Sequence, residues 1–278
     1  MKRISWWQTD LNGEIERDNV LSAIDNNSFG LGPVTEELER QLATTLQIPY
    51  AVVTPSGTAA LTMALMAVGV EAGDEVIVPA LTWIATAQAA AILGARVVMV
   101  DCLPDIPLMD PAEVKKKTTP RTKAIVPVHY NGRACQMDEL LEIARGANAS
   151  LIEDACKALV SETPEGYLGT LGDVGCYSLG IVSLISMCYG GVVVTKDKQL
   201  YERFKLIRNH GVPRGGDEEY AVMGFNFRVS DILSSIGVAQ MSRLDEKLRH
   251  VRAVYRRYID GLSSLSHIEV IPVDIEAG

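Results

Sequence analysis

The sequence predicts an α/β fold built on a mainly parallel β-sheet. Short apolar runs alternate with segments of helical spacing, a rhythm typical of βαβ units with right-handed crossovers. Some of these runs stop at polar side chains, as Leu151-Ile152 does at Glu153-Asp154. Because ligands of parallel sheets bind beyond the carboxyl ends of the strands, such polar ends are candidate walls of a binding site.

The composition predicts a globular, cytoplasmic protein. The chain has 278 residues, of which 47% are hydrophobic, and this is enough for a substantial core. Its 35 acidic and 26 basic residues argue against a surface for nucleic acid or for an anionic membrane. The N-terminal MKRISWWQTD lacks the apolar core of a secretory signal or membrane anchor. Five cysteines without a C-x-x-C pair and four scattered histidines indicate reduced thiols and no metal site.

The N-terminal half contains two helices followed by βαβ units. The first helix is expected from Asp18 to Asn26, and Thr35 is expected to cap the second. Strands are predicted at Tyr50 to Val53, Glu75 to Val78 and Arg96 to Asp101, and a strongly apolar helix is predicted from Thr58.

The C-terminal half continues the same pattern and then changes character. Strands are predicted at Lys123 to Tyr130, at Leu151-Ile152 and at Val192 to Thr195, with helices beginning after Asp110, at MDELLEIARGA and after Lys196. The helix Leu244 to Leu262 is rich in Arg and Lys, and in an acidic chain we interpret it as a solvated helix. The last segment, HIEVIPVDIEAG, resembles a strand of a second domain. We therefore expect a large domain at 1–243 and the beginning of a small, truncated domain at 244–278.

Four positions are candidates for a site, and each has a structural alternative. Asp154 either lines the site or caps the next turn. The turn Ser56-Gly57-Thr58 either leaves backbone N–H groups for a phosphate or simply caps the following helix. Trp83 either stacks on a flat ligand or lies in the core, and His129 either faces the site or is a structural histidine.

An ordered set of motifs connects these positions. It consists of SGTAAL, the Trp83 loop, EDA, GD-x-G-C-Y-S, GG-VVVT, RNHG and GFNFR. In this order they resemble the DegT/DnrJ/StrS family of sugar aminotransferases, which depend on pyridoxal 5′-phosphate (PLP). The resemblance implies the type I aspartate aminotransferase fold, a three-layer α/β/α large domain with a small C-terminal domain. It also implies transfer of an amino group from glutamate or glutamine to a keto sugar, usually nucleotide-linked, in amino-sugar biosynthesis. The expected partners are these small molecules and a second copy of the chain, with no nucleic acid or membrane.

The resemblance also implies roles for individual residues. PLP, or its amine form pyridoxamine 5′-phosphate (PMP), would be held at its phosphate by Gly57, Thr58 and Ser178. Trp83 would stack on the pyridine ring, and Asp154 would pair with the ring nitrogen. Asn226 would reach across a dimer interface to the cofactor phosphate of the other subunit, with Arg228 close by.

The family's Schiff-base lysine is replaced in this chain. It stands five residues after the phosphate-binding serine, and here that position is Ser183. A hydroxyl cannot supply the amine, so we expect ordinary transamination to be impaired. Lys157, three residues after Asp154, is either a substitute amine or a salt-bridged surface lysine.

Three interpretations therefore remain open. The chain is a sugar aminotransferase whose lysine was substituted, naturally or by engineering; a non-catalytic homologue that binds PLP; or a subunit that completes the site of another chain. A PMP-dependent sugar dehydratase is disfavoured, because that branch carries histidine at this position and a serine hydroxyl is too weak a base.

Overall fold

The computed structural model describes residues 11, 13–213, 220–271 and 273, and it confirms the predicted α/β class. The central sheet has seven strands in the order β1-β9-β8-β5-β4-β2-β3. The strands β2, β3, β4, β5 and β8 pair in parallel, whereas β9 pairs antiparallel with both β1 and β8. Their bounds are β1 Tyr50–Thr54, β2 Glu75–Pro79, β3 Arg96–Val100, β4 Thr122–Ile125, β5 Ser150–Asp154, β8 Val174–Ser178 and β9 Gly191–Thr195. A small hairpin, β6 Glu162–Thr163 with β7 Gly166–Tyr167, lies outside this sheet.

Helices pack on both faces of the sheet, as the three-layer prediction requires. They are α1 Glu14–Asp25, α2 Pro33–Thr45, α3 Gly57–Ala67, α4 Ala85–Ala91, α5 Pro111–Lys117, α6 Met137–Ala147, α7 Lys198–Arg208, α8 Asp231–Met241 and α9 Leu244–Leu262. Alternate residues of one strand enter different cores: Val193 packs with α3 and α7, whereas Val192 and Val194 pack with α2. A strand buried on both faces has no polar face, which explains the unbroken Val run of β9.

The start of α2 differs from the prediction that Thr35 caps this helix. Pro33 is the first helical residue and Gly32 is the N-cap, so Thr35 lies inside the first turn. The cap comes from a distant residue, Asp231 at the start of α8. Its buried carboxylate accepts hydrogen bonds from the N–H groups of Gly32 and Thr35, each at 3.0 Å, and from the Thr35 hydroxyl at 2.7 Å. A carboxylate at a helix N-terminus also stabilises the helix dipole.

Other local details also differ from the sequence-based expectations. The strand predicted at Lys123 to Tyr130 ends at Ile125, and only a single bridge from Val128 to Asp154 continues the pairing. The segment GD-x-G-C-Y-S contains the strand β8, to which the sequence analysis assigned no element. In the final segment, residues 263–271 and 273 form no strand, and the remaining positions lie outside the described residues. The division at residue 243 stays a prediction.

Candidate active site

Asp154 is the carboxylate at the end of β5, and it is held by two donors. The Thr86 hydroxyl donates to its Oδ2 at 2.7 Å, and the backbone N–H of Cys156 donates to its Oδ1 at 3.2 Å. Asp154 and Thr86 are both buried. Thr86 Oγ1 also lies 2.8 Å from Thr82 Oγ1, so the loop before α4 is tied to the carboxylate. Oδ1 of Asp154 thus caps the following turn, which was one of the two predicted roles. Oδ2 is oriented by the Thr86 hydroxyl of α4.

The turn Ser56-Gly57-Thr58 lies beside the end of β8. The Ser56 hydroxyl caps α3 by accepting from the N–H of Ala59 at 3.0 Å. Gly57 is buried, and a β-carbon there would lie 3.0 Å from Cys156 Sγ and 3.1 Å from Ser178 Cβ. The position therefore favours glycine for steric reasons. Thr58, the next residue, is exposed. Gly57 thus brings the first turn of α3 against both Ser178 and Cys156, the second residue after Asp154.

Gly191 allows this close approach from the other side. A β-carbon on Gly191 would clash with the backbone oxygen of Ser56 and would lie 2.7 Å from the backbone nitrogen of Gly57. Because backbone atoms cannot rotate away as side chains do, β9 can begin against the turn only with glycine at this position.

Trp83 lies in the loop before α4 and is not a core residue. Its side chain is 76% exposed, and its carbonyl accepts from the N–H of Thr86 at 3.1 Å. Because Thr86 is also the residue that holds Asp154, the exposed indole and the buried carboxylate are fixed to the same loop.

The segment between β8 and β9 contains Ser183. Its backbone N–H donates to the carbonyl of Gly180 at 3.0 Å, and its Oγ is buried with no hydrogen-bond partner among the described residues. Lys157 lies against the same segment, because its Nζ donates to the carbonyl of Val182 at 3.4 Å. The amine is thus held next to the residue that precedes Ser183.

A cavity of about 1160 Å³ joins these residues to α9. One wall comes from the large sheet and includes Cys156, Lys157, Ser178 and Ser183, and the other comes from α9. The charged residues of its described lining are mostly basic: Arg133, Lys157, Arg243, Lys247, Arg252 and a single carboxylate, Glu246. In a chain of net charge −9 this is a local positive surface. Such a surface attracts anions.

Asn226 and Arg228 lie elsewhere on the surface. Both are exposed; Arg228 Nε donates to Asn226 Oδ1 at 2.9 Å, and its guanidinium lies 3.3 Å from His210 Nε2. Neither residue belongs to the described lining of the cavity that contains Ser178. Among the described residues, the hydrogen bonds of this pair go to each other and to His210, and none joins it to Gly57 or Ser178.

His129 is a structural histidine. The ring is fully buried; Nε2 lies 2.8 Å from Glu153 Oε2, and Nδ1 accepts from the N–H of Cys135 at 3.2 Å. Glu153 also accepts from the N–H groups of Gly169 and Leu171. Consecutive acids of β5 thus point to opposite faces of the sheet, and Glu153 supports the fold.

Two of the contacts above involve residues that the sequence analysis did not single out, Thr86 and Cys156. In the helix Ala85–Ala91, Thr86 and Gln88 are the only side chains other than alanine, so a hydroxyl in its first turn was a usable signal. No feature of the sequence indicates the contact of Cys156 with Gly57, because this contact depends on how α3 packs against the end of β5.

Within the described part of the chain, no helix is long and apolar enough to span a bilayer, and no group of acidic, histidine and cysteine side chains is arranged to hold a metal ion. All five cysteines are free thiols.

Comparison with known proteins identifies the family. The sequence model of the DegT/DnrJ/EryC1/StrS aminotransferase family matches residues 11–278. The chain belongs to this family. Its members use pyridoxal phosphate, and a putative sugar aminotransferase from Streptococcus pneumoniae, Spr1654, has been solved in PLP and PMP forms. Spr1654 in its PMP form is 28% identical to this chain, with a TM-score of 0.85 over 92% of this chain and 72% of that one.

Other relatives agree with this assignment. GDP-perosamine synthase of Caulobacter vibrioides is 37% identical over 268 residues, which cover 96% of this chain and 72% of the relative. The aminotransferase TlmJ from Streptoalloteichus hindustanus has a TM-score of 0.89 at 31% identity, covering 94% of this chain and 72% of that one. The chain thus spans about seven tenths of the length of these relatives.

Proposed function

We propose that this chain is a sugar aminotransferase-type protein that binds PLP or PMP together with a keto sugar, and that Ser183 impairs ordinary transamination. The observation that carries the proposal is the meeting of Asp154, Gly57 and Ser178 at one edge of the sheet, where α/β folds bind their ligands. When bound, the cofactor supplies an electron sink for negative charge at the substrate carbon.

The residues fit the cofactor at its ring and its phosphate. Asp154 is a buried carboxylate oriented by Thr86, and it would hold a proton on the pyridine nitrogen. The first turn of α3, with Gly57 and Thr58, would donate backbone N–H groups to the phosphate, and Ser178 would add a hydroxyl beside them. Trp83 offers an exposed aromatic face on the loop that orients Asp154.

A second copy of the chain would complete the phosphate site. Asn226 and Arg228 are exposed and bonded to each other, so they form a polar pair on the surface of one subunit. This arrangement suits a pair that reaches a neighbour's cofactor. A homodimer with shared sites is therefore part of the proposal.

Ser183 does not fit the family's covalent chemistry. Ser183 lines a cavity that also contains Ser178, and its hydroxyl can neither supply an amine nor take up a proton at neutral pH. Residue 183 therefore can neither bond covalently to the cofactor nor move a proton between cofactor and substrate, and ordinary transamination would be impaired. Restoring the lysine tests which of the open interpretations applies.

The cavity charges support an anionic sugar substrate. Arg133, from the large domain, and Lys247 and Arg252, from α9, line the same cavity, which suits a sugar linked to a nucleoside diphosphate. GDP-perosamine synthase is the name of a relative and does not by itself decide the nucleotide here.

The test begins with cofactor binding and then asks for turnover. PLP and PMP are titrated into the wild type and into Asp154→Ala, with binding followed by equilibrium dialysis and tryptophan fluorescence. We expect binding by the wild type and a loss of at least tenfold in affinity for Asp154→Ala. A wild type that binds neither form contradicts the proposal.

Turnover is then measured in Ser183→Lys with glutamate or glutamine and nucleotide-linked keto sugars. Amino transfer by this variant, above that of the wild type, supports the aminotransferase interpretation. Bound cofactor without any turnover supports a non-catalytic homologue. Ser183→Ala is the matched control, because it removes the hydroxyl without adding an amine.

A further inference from the structure

We propose that Lys157 supplies, from the end of β5, the amine that position 183 lacks, and that it bonds covalently to the aldehyde carbon of PLP. This inference rests on the proposed cofactor binding and adds a named covalent residue to it. The covalent bond to the cofactor would then come from a residue that follows β5, whereas the family's lysine position, 183, follows β8.

The position of Lys157 is the first observation. It lies three residues after Asp154 in a tight turn, in which the N–H of Ala158 donates to the carbonyl of Ala155 at 2.9 Å. Its Nζ reaches across to the carbonyl of Val182, at 3.4 Å. This side chain therefore links the end of β5 to the loop between β8 and β9, directly beside Ser183.

The shared cavity is the second observation. Lys157, Ser178 and Ser183 all line it, so Lys157 borders the same space as Ser178, the residue proposed to bind the phosphate. A four-carbon stem gives the amine several ångströms of reach from this turn. An amine there can approach a group held between Asp154 and Ser178.

The surroundings of the amine are the third observation. Among the described residues Lys157 forms no ion pair, and its hydrogen bond goes to a neutral backbone carbonyl. Lys157 is exposed, so of its interpretation as a salt-bridged surface lysine the described structure has the surface position without the ion pair. Loss of hydration lowers the pKa of Lys157, and the nearby Cys156 and Asp154 oppose this shift without cancelling it. A lowered pKa raises the fraction of neutral amine, which is the nucleophilic form.

The covalent step is a condensation without any change of oxidation state. The neutral amine attacks the aldehyde carbon, a carbon–nitrogen double bond forms, and the aldehyde oxygen leaves as water with the two hydrogens of the amine. No oxidant, reductant or metal takes part. The reverse step, hydrolysis, releases the lysine unchanged.

The experiment traps this bond and locates it. The protein is mixed with one equivalent of PLP, reduced with borohydride, digested and analysed by peptide mass mapping. We expect the reduced adduct on the peptide that contains Lys157. Addition of excess PMP before PLP should suppress it, since PMP competes for the same site but has no aldehyde.

Variants distinguish this proposal from adventitious labelling and from failure of cofactor binding. Lys157→Gln should lose the trapped adduct by at least tenfold while still binding PMP in dialysis, whereas Lys196→Gln, at an exposed lysine outside the cavity, should behave as the wild type. An adduct on Lys247 or on several surface lysines, insensitive to PMP, overturns the proposal. So does bound PLP that no reduction attaches to Lys157. If the wild type binds no PLP or PMP, the proposed function itself fails.

A second variant tests position 183 against position 157. In Ser183→Lys the trapped adduct should move to residue 183, because the introduced amine stands at the family's own position. An adduct that remains on the Lys157 peptide alone in this variant would place residue 183 out of reach of the cofactor. That result would contradict the assignment of both positions to one site.

Discussion

Replacing Thr86 by valine removes the hydroxyl that orients Asp154 and keeps the shape of the side chain. Thr86 is fully buried, and its Oγ1 donates to Asp154 Oδ2 at 2.7 Å. A hydrogen bond to a charged group contributes about 1.5–3 kcal/mol. We therefore expect Thr86→Val to lower the free energy of unfolding by about 2 kcal/mol, equivalent to a fall in Tm of about 4–8 °C for a chain of this size.

The same change should weaken cofactor binding, since Asp154 loses the donor that fixes its carboxylate. Each loss of about 1.4 kcal/mol in the free energy of binding corresponds to a tenfold rise in the Kd for PLP. Urea unfolding gives the stability, and PLP titration by fluorescence gives the affinity. Thr86→Ser keeps the hydroxyl and should retain most of both properties. Thr82→Val removes only the outer hydroxyl of the pair and should have the smaller effect. Wild-type stability and affinity in Thr86→Val would refute this account of Asp154.

Other parts of the chain give three further predictions. Asp231→Ala should cost about 3–5 kcal/mol in urea unfolding, because it leaves the buried N–H groups at the start of α2 without an acceptor. Gly191→Val should reduce folded yield and PLP binding through its clash with the turn before α3, whereas Gly30→Ala, in open space, should do neither. A hydrogen bond from Thr119 lowers the pKa of Glu75 below 4.5, so its stabilisation is present above that pH and is lost as pH falls through the folded value. Unfolding free energies measured against pH should show a deficit in Glu75→Gln at neutral pH that shrinks in acid; a constant deficit would contradict this.

The elements that the sequence predicted are those in which burial imposes a pattern. β9 is buried on both faces, so its Val run was recognisable, and α3 is buried along almost its whole length. β8 was missed because its sequence, VGCYS, has no such run. Its Gly175 lies against the backbone of Gly169, so the strand follows from a close contact between chain segments that periodicity does not record.

The candidate site was predictable to a similar extent. Asp154 and Gly57 stand where a strand or a helix begins or ends, and local sequence marks those positions. Thr86 bonds a carboxylate 68 positions away, and Asp231 caps a helix that begins about 200 positions earlier. Hydrogen bonds between residues so far apart depend on the completed fold. No short stretch of the sequence therefore indicates them.

The distance in sequence between Asp231 and α2 also determines the order in which the molecule can assemble on the ribosome. Gly32 and Asp231 are 199 positions apart, and β1 pairs with β9, which ends at Thr195. At synthesis rates of about 5–20 residues per second, α2 waits about 10–40 s for its capping carboxylate. α2 can pack against β1 early, but the edge of β1 has no native strand partner until β9 is synthesised, and α2 lacks its contacts with α8 until the end of the interval. Native pairing at this edge of the sheet is therefore a late event, and the N-terminal segment is the part of the nascent chain that most needs protection from aggregation.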